Sequence, residues 1–510
     1  MASDGEAARS ESARARFAEL FSTGHTLSIY VARADIASLA PPRRGCAAGG
    51  NVTWAATCAV VLASVLAAAA LGDPRIVFAA GVCSAFGILF AVRPAWGVAL
   101  VIIVRPSMDV FADRKLAGVG SIQLNPASLM ALVFIAIAGA YVIESRQDAK
   151  QAPVAKPYLL FTLMAFLSIG VAPSVGGATT EVLRLASVVV LYLCAYTVVR
   201  TRKELRLLIA AIAASLFIPT VVALNQFAHG GSTVIGAVGR TTGTFLQPDP
   251  FGIYLALVCS FLVPLVLLRS TWRPIAMVMF PFALLALVST YTRTAWVGFL
   301  VGVAVLAFRR YRWLLITGPI LLVVIAAAVP STTSRFSDLN SGRTQYGPGN
   351  SLRARLDIWR TDLPKAAHDP IFGTGFKSIV EDNTAVRQVG VNVVAGAHSH
   401  NDFLRALVET GVPGLVFFTW LLFGSVRACS RSLRRAALAN DALLSAVAVA
   451  SLCAASVYLL VSFDSNLMTQ VAVSGTMWAI AAVGHASGRI ELTEPRPNVP
   501  NAAAQPWTVA

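Results

Sequence analysis

Residues 239–269 read GRTTGTFLQPDPFGIYLALVCSFLVPLVLLR, and this stretch contains the pattern that recurs along the chain. A short polar segment containing Arg240 leads into an apolar run over 250–268, and Arg269 follows that run. A helix of about 20 apolar residues is long enough to cross the hydrocarbon core of a bilayer. The stretch therefore predicts a membrane-spanning helix that begins at a polar loop and ends at a basic one.

The composition of the whole chain extends this interpretation. Of its 510 residues, 56% are hydrophobic and only 13% are charged, whereas about 25% of a soluble domain is charged. The chain is therefore predicted to be an integral membrane protein that is surrounded by membrane lipids. Its net charge of +16 does not indicate a nucleic-acid partner, because Lys and Arg accumulate in the cytoplasmic loops of such proteins.

Apolar runs of spanning length recur along the sequence. They lie at roughly 54–71, 76–92, 126–143, 157–173, 182–199, 205–224, 250–268, 275–290, 294–308, 313–330, 402–425, 442–462 and 467–484. The run Trp96–Val104 has about half the required length, so it is either a broken crossing or a re-entrant segment. We predict an all-α polytopic membrane protein with about 12–14 transmembrane helices.

The short basic clusters fix the orientation, because they fall mainly on one side of the membrane when both termini are cytoplasmic. These clusters lie at residues 93, 146–156, 200–206, 269–273, 309–312 and 427–435. The same assignment places one long loop outside. The predicted organisation is a cytoplasmic tail (1–53), an N-terminal transmembrane bundle (54–330), a large periplasmic loop (331–401), C-terminal transmembrane helices (402–485) and a disordered cytoplasmic tail (486–510).

Two polar turns lie on the predicted external face. Arg240 stands in a segment with Gly243 and Phe245 that precedes a helix, a setting that favours phosphate binding. An ordinary loop with one solvated arginine would look the same. Arg293 lies between two apolar runs, where an arginine requires a cavity, a partner or a position from which it snorkels to the interface.

The long loop supplies two more polar segments. Arg353 precedes Arg355 and Trp359, which share one face of a predicted interfacial helix. At the end of the loop, His398, His400 and Asn401 stand at the mouth of the next apolar run, and Glu409 follows inside it. A histidine in this place suits a general base, although a loop that merely caps the helix is the plain alternative. His-x-His without a third nearby ligand is weak support for a metal.

Taken in order, these segments resemble the O-antigen ligase and O-antigen polymerase superfamily of bacterial inner-membrane glycosyltransferases. The resemblance covers roughly residues 200–464. It is carried by Arg240, Gly243 and Phe245; by Arg293; by Arg355 and Trp359, which lead to Phe372-Gly373-Thr374-Gly375; and by His400-Asn401-x-x-Leu404 followed by Glu409-x-Gly411-x-x-Gly414. The predicted number of spans is somewhat above the twelve that are common in that superfamily.

The resemblance implies a C-type glycosyltransferase fold. It also implies transfer of a glycan from a polyprenyl-diphosphate carrier to an acceptor hydroxyl of a glycan or lipid at the periplasmic face, without metal or cofactor. Arg240 and Arg355 match the diphosphate-binding arginines, and His400 matches the essential histidine. We predict His400 and Glu409 as catalytic residues, and Arg240, Arg293, Arg353, Arg355, His398 and Asn401 as substrate-binding residues.

The chemistry of these residue types agrees with that activity, since guanidinium groups stabilise a diphosphate leaving group and an inverting displacement needs a base. Asp402 and Glu409 are alternative bases, or partners that orient the histidine. Three other functions remain open. They are a polysaccharide polymerase of the same superfamily, a lipid-linked-oligosaccharide flippase, and a binding or assembly protein. A flippase needs polar groups through the middle of the bundle, where the sequence shows little charge apart from Arg184.

Overall fold

The computed structural model describes residues 49–71, 74–111, 117–119, 122–124, 126–235, 238–267, 273–318, 320, 343–344, 347–348, 351–379 and 399–490. Contacts divide the chain after Ala47, and all described residues belong to the second unit. The elements of its first half are α1 (Asn51–Leu71), α2 (Pro74–Val92), α3 (Pro94–Val104), β1 (Ala117–Val119), β2 (Ile122–Leu124), α4 (Pro126–Glu144), α5 (Arg146–Lys150), α6 (Ala155–Leu167), α7 (Val175–Val198), α8 (Arg202–Ala214) and α9 (Phe217–Ala228).

The second half continues with longer helices and short hairpins. Its elements are β3 (Thr233–Ile235), β4 (Val238–Arg240), α10 (Pro248–Leu267), α11 (Arg273–Ser289), α12 (Arg293–Arg309), β5 (Arg343–Thr344), β6 (Gly347–Pro348), α13 (Ser351–Asp362), α14 (Lys365–His368), α15 (Asp402–Leu438), α16 (Ala442–Val461) and α17 (Val471–Ile490). Each strand pair is an isolated antiparallel hairpin. The predicted all-α polytopic fold is therefore confirmed.

Among the described residues, five helical segments are long and apolar enough to cross a membrane. They are Val175–Val198, Arg202–Ala228, Pro248–Leu267, Asp402–Leu438 and Ala442–Val461, and six shorter apolar helices accompany them. The buried core lies where α10 packs against α16, where α16 packs against α17, and where α17 packs against α7. The total of 12–14 spans stays a prediction, and most of the run predicted at 313–330 lies outside the described residues.

Two of the predicted apolar runs form irregular helices. The run at 205–224 lies within the segment Arg202–Ala228, which is interrupted between α8 and α9 because Pro219 in the first turn of α9 has no N–H with which to continue the preceding helix. The short run at 96–104 forms α3, whose eleven residues rise about 16 Å. The chain then continues as short 3₁₀ turns, and the Pro106 carbonyl beyond α3 accepts a hydrogen bond from Thr244.

The loops sort into two ends of the bundle. Arg200 pairs with Asp148 at 2.7 Å and Arg202 pairs with Asp441 at 2.6 Å, so three segments that the positive-inside rule assigns to the cytoplasm lie together. At the opposite ends of α7 and α10 lie the polar turns that the same rule assigns to the outside. The compartment that each end faces stays a prediction.

Candidate active site

Arg240, at the end of β4, is buried and held from three directions. Its Nε donates to the Thr290 carbonyl at 2.7 Å, and one terminal nitrogen donates to Thr292 Oγ1 at 2.8 Å and to Asp249 Oδ1 at 2.5 Å. The Arg240 side chain is 7% exposed, whereas that of Asp249 is 56% exposed. Asp249 lies in the first turn of α10. The guanidinium is therefore fixed, and its carboxylate partner lies open to a ligand.

The backbone that follows Arg240 is held equally firmly. The side-chain oxygen of Gln226 (Oε1) accepts from the backbone N–H groups of Thr242 and Gly243, both at 2.9 Å. The side-chain nitrogen (Nε2) donates to the Gly243 carbonyl at 3.0 Å. Gly243 has φ +56°, and a Cβ there would lie 2.7 Å from the Phe251 ring. Only glycine fits this turn without strain, which explains the glycine of the Arg240 motif.

Arg355 and Trp359, which are four residues apart on α13, each contact a different segment of the chain. Arg355 forms an ion pair with Asp464, in the turn between α16 and α17, and Asp464 also accepts a hydrogen bond from Thr294. Trp359 Nε1 donates to the Ser399 carbonyl at 2.6 Å. The side chains of Arg355 and Asp464 are 29% and 33% exposed. This ion pair therefore remains accessible.

His400 follows Ser399, whose carbonyl accepts the hydrogen bond from Trp359. It has φ +48°, a left-handed conformation that is uncommon for a residue other than glycine and is found often at functional sites. Burial, together with the positive charge of Arg355, lowers the pKa of His400 to about 4, and Asp249 acts in the opposite direction. The imidazole is consequently neutral at pH 7 and able to accept a proton.

These residues form one cluster, which we call the arginine site: Arg240, Asp249, Arg355, His400 and Asp464. Asp249 pairs with Arg240 and Asp464 pairs with Arg355, and the charges of Asp249 and Arg355 both act on the pKa of His400. The turn before α12 supports both carboxylates. Thr292 Oγ1 donates to Asp249 at 3.1 Å and Thr294 donates to Asp464, so Arg293 stands between two residues that contact the site. Arg293 itself is half-buried.

Glu409 lies elsewhere, in what we call the buried ion network: Glu181, Arg405 and Glu409, with the 46% exposed side chain of Arg184 at its edge. Arg405 Nε donates to Glu409 at 2.8 Å, another Arg405 nitrogen lies 3.9 Å from Glu181, and Glu181 pairs with Arg184. The Arg405 side chain is 4% exposed and that of Glu409 is 0% exposed. Glu409 thus contacts Arg405 and not His400. Apart from Arg184 and Glu409, the sequence analysis had missed this network.

The glycine motif that follows Glu409 has a structural cause. Gly411 has φ +72° and a non-helical conformation that kinks α15. At this kink the Val412 N–H donates to the Pro370 carbonyl, and the Val408 carbonyl accepts from the Thr374 N–H, both at 2.8 Å. A Cβ on Gly411 would lie 2.4 Å from the Ile371 carbonyl oxygen. The kink therefore docks the 370–376 loop against the helix that begins beside His400.

The remaining predicted residues have varied settings. Asn401 is the N-cap of α15, and its side-chain oxygen accepts from the N–H groups of Phe403 and Leu404 at 2.9 and 3.0 Å. Asp402 is fully buried and accepts from the Leu467 N–H at 3.0 Å, which ties the start of α15 to the α16–α17 turn. Arg353 lies on α13 two residues before Arg355. His398 lies outside the described residues.

Two residues of the arginine site were not assigned by the sequence analysis. Asp249 occurs in the Gln247-Pro248-Asp249-Pro250 segment, where its place at a helix start was a usable signal. Asp464 follows His400 by 64 positions, and nothing in its local sequence marks it as a partner of Arg355. Over the part of the chain that the structure describes, no group of three or more His, Cys, Asp or Glu residues is arranged to hold a metal ion.

The fold is that of a multi-pass α-helical membrane protein. Its candidate site contains arginine and histidine side chains and lies at one end of the bundle. Residues 278–419 match the family model described as O-antigen ligase. This match includes Arg293, Arg355, His400 and Glu409, and it confirms the resemblance to the O-antigen ligase superfamily. Arg240 lies before the matched region.

One characterised relative supports the same assignment. The chain is 27% identical over 111 residues to the "Exopolysaccharide production protein ExoQ" of Rhizobium meliloti (strain 1021). This alignment covers 20% of the present chain and 26% of that protein, so the chain spans about a quarter of the relative's length in the match. Both comparisons agree that the chain resembles proteins of the O-antigen ligase superfamily, and the name of the relative refers to polysaccharide production.

Proposed function

We propose that this protein is a glycosyltransferase that moves a glycan from a polyprenyl-diphosphate carrier to an acceptor hydroxyl. The observation that carries the proposal is the convergence of Arg240, Arg355 and His400 from three separate segments of the chain. Two fixed guanidinium groups suit a diphosphate, because their planar donors match phosphate oxygens. A neutral imidazole beside them suits removal of a proton from a hydroxyl.

The reaction follows from these positions. The donor diphosphate takes up the donors of Arg240 and Arg355, in exchange for the open carboxylates of Asp249 and Asp464 or alongside them. His400 accepts the proton of the acceptor hydroxyl, and the acceptor oxygen forms a bond to the anomeric carbon from the face opposite the diphosphate. The bond between that carbon and the phosphate oxygen breaks, its electron pair leaves with the polyprenyl diphosphate, and the configuration is inverted.

Donor binding also strengthens the base. In the empty site the charge of Arg355 contributes to the low pKa of His400. A diphosphate on Arg355 neutralises that charge and adds negative charge nearby, and both changes raise the pKa of a histidine. The proton is therefore taken up more readily once the donor is in place.

The proposed site faces the periplasm or cell exterior of a bacterial inner membrane. This orientation is supported by the basic clusters at the opposite end of the bundle. A membrane-impermeant thiol reagent applied to intact spheroplasts tests it, using a variant in which the seven native cysteines are replaced and Ser351 is changed to Cys. The expected result is labelling of the Ser351→Cys variant and no labelling of a matched Arg434→Cys variant. The opposite pattern would show that the orientation is reversed.

A transfer assay tests the activity itself. Purified protein in lipid vesicles is supplied with an undecaprenyl-diphosphate-linked oligosaccharide and a glycan or lipid acceptor, and released undecaprenyl diphosphate is measured together with the extended acceptor. The wild type should form both products in equal amounts, whereas His400→Ala should form neither at a comparable rate. Movement of the intact donor across the bilayer without cleavage would support the flippase alternative.

The acceptor distinguishes a ligase from a polymerase. The name of the similar Rhizobium meliloti protein refers to exopolysaccharide production, which favours a growing polysaccharide as acceptor. The description of the matched family favours a ligase. Product length separates the two: a ladder of repeat units on the carrier indicates polymerisation, and a single transfer to a different acceptor indicates ligation.

A further inference from the structure

The segment Arg105–Asp109, which we call the 105–109 turn, is hydrogen-bonded to the loop that begins with Arg240 and has no part in the mechanism described above. It begins where α3 ends, because Pro106 cannot continue a helix and the chain passes into a 3₁₀ turn. A helix that stops about half-way across a membrane exposes backbone and side-chain polar groups inside the protein, and many membrane proteins place ligands at such breaks.

The turn contains an ion pair and two polar atoms without partners. Arg105 Nη1 lies 2.6 Å from Asp109 Oδ1, and the two side chains are only 13% and 18% exposed. Arg105 Nε and Ser107 Oγ are both buried, and neither has a hydrogen-bond partner among the residues that the structure describes. A buried polar atom that forms no hydrogen bond destabilises a protein. Two such atoms within three residues indicate a place where a ligand supplies the missing partners.

The position of the turn relates it to the donor. Thr244 Oγ1 donates to the Pro106 carbonyl at 2.8 Å, and Thr244 belongs to the loop that begins with Arg240. Gln226 holds that loop rigid through Thr242 and Gly243. The loop thus joins the arginine site on one side to the 105–109 turn on the other. The 105–109 turn is therefore hydrogen-bonded to the same loop that carries Arg240.

The chemistry of the turn favours a sugar over a further phosphate. Asp109 neutralises Arg105, so the pair offers no net positive charge to an anion. It does offer donors, at Arg105 Nε and the Ser107 hydroxyl, beside the acceptor oxygens of Asp109. Sugar hydroxyls donate and accept at once and match such a mixed set. We propose that the 105–109 turn binds hydroxyl groups of the sugar that is attached to the donor diphosphate. This inference rests on the proposed function.

Direct binding measurements test the inference without requiring turnover. The probes are undecaprenyl diphosphate, and the same lipid carrying one hexose, titrated against purified full-length protein in nanodiscs. In the wild type the hexose should tighten binding about tenfold, the worth of about one hydrogen bond to a charged group. Arg105→Gln and Asp109→Asn should each remove most of this gain and leave the affinity for the bare lipid unchanged.

The matched control is Arg93→Gln, at the other end of α3, where the side chain is exposed; it should behave as the wild type. Ser107→Ala removes only a hydroxyl, so it tests the inference even where an Arg105 variant fails to fold. It should reduce the gain in affinity from the hexose by about threefold.

Three outcomes overturn the inference: no hexose gain in the wild type, a gain retained in the variants, or an equal loss for the bare lipid, which would make the turn part of the diphosphate site. Failure of the proposed function looks different, because the wild type would then not bind the bare lipid, or Arg355→Ala would bind it as tightly as the wild type.

Discussion

Arginine–carboxylate pairs occur in two regions of this protein, and the two regions differ in exposure. In the arginine site, Asp249 is 56% exposed, and Arg355 and Asp464 are about one-third exposed. In the buried ion network, Arg405 and Glu409 are 4% and 0% exposed. A pair that water reaches contributes little to stability and can exchange partners with a ligand. A buried pair cannot be broken without leaving an uncompensated charge.

The difference in exposure indicates that arginine–carboxylate pairs have two different roles in this protein. The arginine site is suited to binding a substrate, and the buried ion network is suited to fixing the geometry of the segments around it. Arg405 contacts Thr469 at 3.0 Å and lies over the Phe376 ring at 5.2 Å, in addition to its carboxylate partners. It therefore joins α15, the α16–α17 turn and the 370–376 loop. Glu409 accordingly fits the role of a positioning residue that acts through Arg405.

Replacement of His400 should have the largest effect on activity. His400→Ala removes the proposed base, so transfer should fall by roughly two to four orders of magnitude, while binding of undecaprenyl diphosphate and the unfolding temperature stay near those of the wild type. The control is His368→Ala, an exposed histidine at the end of α14. Transfer by the wild type should persist in EDTA. Loss of transfer in EDTA, with recovery on adding zinc or magnesium, would assign His400 to a metal instead.

Removal of Arg355 should be nearly as severe for activity. Arg355→Ala should lower transfer by about 100- to 1,000-fold, as for the loss of one donor to a developing negative charge. The unfolding temperature should change little, because the ion pair with Asp464 is partly exposed. Lysine should restore little transfer, since it lacks the planar fork. Arg360→Ala, exposed on the same helix, is the control, and full activity in Arg355→Ala would reduce α13 to an interfacial helix.

In the buried ion network, replacement of an arginine should lower the stability of the protein and not only its activity. Arg405→Ala leaves Glu409 and Glu181 without their shared partner, so the free energy of unfolding should fall by about 3–5 kcal/mol. Thermal unfolding in detergent and the amount of protein in the membrane measure this loss. Replacing Arg405 by Met together with Glu409 by Leu should recover part of the stability. An Arg405→Ala protein that unfolds as the wild type does but fails to transfer would erase the distinction between the two regions.

The smallest expected effect is the dependence of activity on pH between 6 and 8. A base is active in its neutral form, so activity is lost as pH falls through the pKa. With the pKa of His400 at about 4 in the empty site, kcat/KM should be nearly flat from pH 8 to 6 and decline below about pH 5. The corresponding decline in kcat should occur at higher pH, because the bound diphosphate raises the pKa. A midpoint of kcat/KM near 6.5, the ordinary histidine value, would show that neither burial nor Arg355 lowers the pKa of His400.

The sequence by itself determined the class of the fold. Apolar runs and basic clusters follow from the energetics of the bilayer, which act on each segment separately, so they can be read without knowing the tertiary arrangement. Arg240, Arg355 and His400 were predicted as site residues from short local motifs and from the family resemblance that those motifs carry. The division of 205–224 at Pro219 was also visible locally and was overlooked.

The tertiary structure alone decided which charges face each other. Asp464 meets Arg355 across 109 positions of sequence, and Glu181 meets Arg405 from a helix that is more than 200 positions away. Such pairings depend on how the helices pack, which local sequence does not encode. Packing likewise assigned Glu409 to Arg405 and Asn401 to the helix cap. It also left Arg105 Nε and Ser107 Oγ buried without partners among the described residues, because burial is a property of the assembled bundle and not of any one segment.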